Sequence, residues 1–157
     1  MNLAELEHDE GYRAFCQRTY FILKDDKTVV SCPDLLLWAN WMEEHDKHIA
    51  DDYIGCVRVS SVFLGMNVNF LHDYPPILFE TMTAIVDPVS HEVVQCQDKD
   101  YFCFHRIIMR YSTYADAKAA HAIIVGKANE LLPHVFEEPK AFLNLLVSEV
   151  SQSVDIF

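Results

Sequence analysis

Between residues 38 and 87 the spacing of apolar residues changes once, from the period of a helix to that of a strand. That change decides what the chain can fold into. Leu35, Trp38, Met42, His45 and Ile49 recur at helical spacing, and Leu37 and Trp41 widen the stripe. Glu43, Glu44, Asp46 and Lys47 fill much of the opposite side. The spacing predicts a helix starting near residue 33 and stopping near residue 52. Ser31 and Asp34 resemble a capping box, Pro33 suits the first turn, and Gly55 fits the break before the next element. Val62, Leu64, Met66, Val68 and Phe70 then alternate with residues that turn polar at Asn67 and Asn69, which predicts a long strand with one core face. Val57 and Val59 lie on the other parity. The slip at Ser60 and Ser61 predicts a bulge, or a strand covered on both faces where it starts.

The rest of the chain punctuates this segment. A short amphipathic helix carrying Leu3, Leu6 and Tyr12 is expected at the start. Two strands, at 18–24 and 28–30, are expected around the turn residues Asp25, Asp26 and Lys27. Pro75 and Pro76 interrupt the sheet before a strand at 77–86, on which Leu78, Met82, Ala84 and Val86 share one face. Phe79, Thr81, Thr83 and Ile85 share the other, with Glu80 as a lone acid. A polar excursion at 87–100 precedes a strand at 101–111. Thr113 with Asp116 caps an Ala-rich helix ended by Pro133, and Pro139 opens a last helix to about Val150. This order predicts an α+β domain over residues 1–157: an antiparallel sheet of about four to five strands with helices packed mainly on one face.

Composition supports a globular chain. At 157 residues, 51% hydrophobic, it can bury a sizeable core. Its five cysteines, Cys16, Cys32, Cys56, Cys96 and Cys103, are odd in number and contain no CxxC pair, so free thiols are expected. The acidic N-terminal stretch lacks a secretory pattern, and no segment approaches the roughly 20 apolar residues that span a bilayer. A cytoplasmic location, with no membrane partner, is the expectation. Twenty-four acids against twelve bases give a net charge of −12, which disfavours binding to phosphate backbones.

Three blocks, LLLWANWMEEHDKHIADDYIGCVRVSSVFLG, ILFETM and RYSTYADAKAAHA, occur in that order. They resemble a family of small, functionally uncharacterised bacteriophage and prophage proteins, with its Trp-bearing helix and its VSTVFLG-like, LLFETM-like and RYSTW-like blocks. The match covers residues 20–122. The resemblance implies a shared architecture and a bacterial host cytoplasm as the setting, and it carries no activity to transfer. Many relatives have an Asp-His pair after the FLG turn; here Asn67 and Val68 stand there. Tyr114 replaces the usual Trp, and the 87–100 excursion looks longer than in most relatives.

Several side chains invite chemistry. Glu44, His48 and Asp51, at i, i+4 and i+7, would share one helical side and suit an acid–base pair or a metal, or form part of a solvated face. The sharper form of that face, Glu43, Glu44, Asp46, Asp51 and Asp52 with the Asn67 and Asn69 edge, is a docking surface for a basic partner. His91, Cys96, Cys103 and His105 are zinc donor types, but H-x4-C-x6-C-x-H lacks the usual knuckle, so ordinary thiols and surface histidines are the plainer reading. Glu80 needs a cation, which Arg58, Arg106 or Arg110 can supply across strands.

No GxSxG, P-loop, HExxH or dinucleotide fingerprint is present, and no cofactor is implied. The leading expectation is a phage- or prophage-encoded accessory protein that binds a host or viral protein, a counter-defence inhibitor being one form. The alternatives are a small enzyme or metal-dependent hydrolase using Glu80, Glu44 or His48, and a self-assembling component, such as a homodimer.

Overall fold

The computed structural model describes residues 9–69, 75–93, 106–135 and 139–151. The chain runs α1 (Glu10–Thr19), β1 (Phe21–Leu23), β2 (Val29–Ser31), α2 (Leu35–Glu44), β3 (His48–Ile54), β4 (Val57–Phe63) and β5 (Phe79–Ile85). It continues through β6 (Arg106–Tyr111), α3 (Tyr114–Val135) and α4 (Pro139–Ser151). β1 and β2 form a small antiparallel hairpin, and β3-β4-β5-β6 form a four-stranded antiparallel sheet in sequence order. The α+β class expected from the sequence is the one observed.

Local chemistry sets the element ends. Asp34 alone caps α2, accepting the Leu36 and Leu37 N–H groups at 2.9 and 3.0 Å, in place of a box with Ser31. The helix then stops at Glu44, eight residues before the expected end near Asp52. Asp46 Oδ1 accepts the His48 N–H at 2.9 Å and turns the chain out of the helix. His48–Ile54 pairs with β4 through a two-residue turn at Gly55 and Cys56. Gly55, with φ +59°, takes the left-handed first position of that turn. A hairpin that buries Ile54 thus wins over continued helix.

The face of β4 is the reverse of the expected one. Val57, Val59, Ser61 and Phe63 are buried and Val62 lies on the opposite side, so Val57 and Val59 set the core parity and no slip occurs at Ser60 or Ser61. β4 pairs with β5 in continuous register, and the irregularity falls on β3 between His48 and Ala50. The strand ends at Phe63 because the chain turns at Gly65, φ +68°, and Met66 bridges to Tyr20.

β5 turns Phe79, Thr81, Thr83 and Ile85 inward. The first five residues of the strand expected at 101–111 lie outside the described residues, as do Leu3 and Leu6. Thr113 and Asp116 bond reciprocally at the start of α3, as expected. The helix passes Pro133, which donates no hydrogen bond to the ladder, and ends two residues later at Val135.

Helix α3 lies on the inner face of the sheet. Ile124 and Ala128 join Val57, Val59, Ile85 and α4 residues Phe142, Leu146 and Val150 in one core cluster. Ala117 and Ala120 join Phe63, Leu78, Phe79 and Tyr111 in a second, against which β1, β2 and Trp41 pack. Cys16, Cys32 and Cys56 are buried free thiols. Among the described residues no helix is long and apolar enough to cross a membrane.

Candidate functional site

The acids expected to form one face are divided by the hairpin. Glu43 and Glu44 end α2, and Asp46 bonds the His48 ring at 2.7 Å in the following turn. Asp51 points to the outer side of β3, where Arg58 bonds it twice, at 2.9 and 2.7 Å. That guanidinium holds the Asp51 carboxyl below its ordinary value. Asp52, next along the strand, turns the opposite way. Glu44, His48 and Asp51 therefore share no helical side, because the helix that would align them ends before His48.

Glu80 sits directly across from Arg110 in the β5–β6 register, and Arg110 Nε donates to its Oε2 at 2.9 Å. It is the cross-strand ion pair that its position among apolar neighbours implied. Asn67 Oδ1 accepts the Asn69 and Ile77 N–H groups at 2.8 and 3.0 Å. Asn69 Nδ2 reaches the Pro75 carbonyl, so both asparagines tie the segment after β4 to the approach of β5. His91 stacks on Tyr53 with ring centroids 4.3 Å apart. Cys96, Cys103 and His105 lie outside the described residues. Among the described residues no cluster of three or more His, Cys, Asp or Glu has the arrangement to hold a metal ion.

A polar chain not anticipated from the sequence lies beneath α3. His121 Nδ1 lies 2.8 Å from Ser61 Oγ, and His121 Nε2 lies 2.8 Å from Asp52 Oδ2. Ser61 Oγ in turn lies 2.6 Å from Thr81 Oγ1. An ionised carboxylate only accepts, so Nε2 carries a proton; in the neutral ring Nδ1 then accepts from Ser61. The order hydroxyl, imidazole, carboxylate is that of a nucleophilic triad. Its exposure runs the wrong way for one, because Ser61 has 0% of its surface exposed whereas the Asp52 side chain is 55% exposed. The chain ties α3 to β3, β4 and β5 by polar bonds within an otherwise apolar interface.

Helix α2 is the other feature that packing leaves unexplained. It is the most apolar of the four described helices, and it has no buried residue. Its inner side is held by Trp38 Nε1 donating to the Gly65 carbonyl at 2.8 Å and by the Trp41 edge on Phe63. Its outer side presents Leu36 and Leu37, 52% and 56% exposed. Glu43 and Glu44 stand at its C-terminal end, where the helix dipole disfavours negative charge, and its last turn holds no basic residue. Two nearby lysines have partners within the protein: Lys47 Nζ donates to the Met42 carbonyl at 2.6 Å, and the exposed Lys27 lies over the Tyr114 ring.

Between this helix and the β1–β2 turn is an open depression of 420 Å³, lined by Leu23, Lys24, Asp25, Asp26, Trp41 and His45. His45 stacks on Trp41 at 4.5 Å. Asp26 accepts the Thr28 N–H, which lowers its pKa and keeps the turn acidic. The arrangement is suited to holding a side chain that is apolar along its stem and cationic at its tip. Comparison with protein-family models, with curated proteins and with solved structures returned no match.

Proposed function

We propose that this protein acts by binding another protein and that helix α2, with the β1–β2 turn beside it, is the contact surface. One observation carries the reading: the most apolar described helix buries none of its residues and turns two leucines to solvent. Burying such side chains is a main source of binding free energy, and leaving them in water has no benefit to the isolated chain. The resemblance of the three sequence blocks supports a phage- or prophage-encoded accessory protein working in the bacterial cytoplasm on a host or viral protein. Inhibition of a host defence is one form of that role.

The test is capture of partners by the wild-type chain and by Leu36→Asp/Leu37→Asp, each first shown to be folded. The expected result is one or more proteins retained by the wild type and lost by the variant. Identical sets from the two proteins would overturn α2 as the contact surface.

A further inference from the structure

Resting on that reading of α2, we infer that the partner presents a basic amphipathic helix, with leucine-like side chains covering Leu36 and Leu37 and an arginine entering the depression beside Trp41 and His45. The helix face has two chemically distinct ends. Leu36 and Leu37 are exposed at its start, and Glu43 and Glu44 are exposed at its finish. Eight residues of helix separate Leu36 from Glu44, about 12 Å. The matching segment therefore needs its apolar and cationic groups about two helical turns apart.

Charge complementarity fixes the sign. Asp25, Glu43 and Glu44 form no ion pair among the described residues, whereas Lys27 and Lys47 are already engaged. Lys24 is the one lysine in the wall of the depression, and its charge is already felt by Asp26. The Lys47 ammonium already meets the Met42 carbonyl at the end of α2, so a cation placed here answers the carboxylates that remain without an ion pair. Arginine suits the depression better than lysine. Its planar guanidinium can stack on the His45–Trp41 pair while bonding a carboxylate at its edge. An amphipathic helix is the occupant that presents apolar and cationic side chains on one face at that two-turn spacing.

Both tryptophans of the chain, Trp38 and Trp41, lie on α2, so intrinsic fluorescence reports on this site. The probes are synthetic amphipathic helical peptides of about four turns. One carries Leu and Arg, a second has every Arg replaced by Gln, and a third has every Leu replaced by Ser. The Leu/Arg peptide is expected to shift the emission saturably. The Leu/Gln and Ser/Arg peptides are expected to bind about tenfold or more weakly, a difference of about 1.4 kcal/mol. Asp25→Asn/Glu44→Gln should remove the preference for Arg over Gln, and Leu36→Ser/Leu37→Ser should weaken all binding.

Equal binding of the Leu/Arg and Leu/Gln peptides would overturn the cationic preference and leave the contact surface standing. Equal binding of the Leu/Arg peptide to wild type and Leu36→Ser/Leu37→Ser would mean undirected attraction to an acidic protein, which overturns both. Absence of binding by all three peptides would overturn the helical occupant, and partner capture would then judge the contact surface by itself.

Discussion

His121 and Ser61 meet 2.8 Å apart across 60 residues of sequence, at a point where α3 crosses the buried middle of β4. Because Asp52 engages the other ring nitrogen, the imidazole cannot be removed without leaving polar partners behind. Replacing His121 by Ala is expected to destabilise the fold by about 2–4 kcal/mol, from the void plus the loss of one of the two hydrogen bonds of the buried Ser61 hydroxyl, which keeps Thr81. Ser61→Ala should cost less, about 1–2 kcal/mol. Asp52→Asn should matter least, since the amide oxygen can still accept the Nε2–H at this half-exposed end. Urea unfolding of the three variants measures this order. A fluorophosphonate reagent should leave Ser61 unmodified in the folded protein, and labelling read by mass spectrometry would instead show that α3 opens to admit it.

The Tyr111 hydroxyl is buried and has no hydrogen-bond partner among the described residues. Burial raises its pKa, and Thr81 nearby opposes part of that rise without forming a bond of good geometry. Removing a partnerless hydroxyl recovers its desolvation cost, so Tyr111→Phe is expected to be neutral or to stabilise by up to about 1 kcal/mol. A loss larger than that in thermal or urea unfolding would show that Thr81 holds the hydroxyl in solution.

How far each feature was legible in sequence depended on how local its cause is. The Thr113–Asp116 cap is written within four residues, and the Glu80–Arg110 pair follows from one acid in an apolar strand with arginines nearby. The end of α2 was hidden because residues 45–52 fit a helical stripe as well as a strand. What decides between them is pairing with β4, a tertiary effect. The parity of β4 was misjudged because Val62, Leu64 and Met66 are apolar enough to pose as a core face. Gly65, whose left-handed φ ends the pattern, is the residue that breaks it. His121 was missed because its partners are 60 and 69 residues away. One signal was present: it interrupts the buried stripe of Ala117, Ile124 and Ala128, where a polar side chain needs a partner.

Gly65 occupies a position that disfavours a side chain on two counts. Its φ is +68°, a methyl group there would collide with Met42 Sδ, and its carbonyl accepts the Trp38 indole. Gly65→Ala is expected to destabilise by about 1–3 kcal/mol through backbone strain and displacement of α2. The tryptophan emission should shift red as the indole bond loosens. An unchanged spectrum and unfolding midpoint would show that Met42 simply rotates aside.

The pair Asp51–Arg58 gives the fold an acid-sensitive element. Bonding to Arg58 depresses the Asp51 pKa in the folded state. A depressed carboxyl contributes stability that is fully present above its unfolded value and is lost as pH falls through the folded value. Arg58→Met should therefore be less stable than wild type at neutral pH. Its stability should also decline less steeply between neutral pH and about pH 2. Parallel curves for the two proteins in urea unfolding across that range would mean that the pair does not persist in water.

Leu36 and Leu37 separate a binding role from a folding role. Each is more than half exposed, and the cap that starts α2 is made by their backbone N–H groups, which a substitution leaves in place. Serine has a lower helix propensity than leucine but suits a first turn, so Leu36→Ser/Leu37→Ser is expected to change the unfolding free energy by no more than about 0.5–1 kcal/mol. Solubility should rise as the apolar patch shrinks. Near-native stability together with lost partner binding would be the signature of residues kept for contact. A fall of several kcal/mol would instead mean that both leucines pack within the protein in solution, and the exposed side of α2 would then no longer be available to a partner.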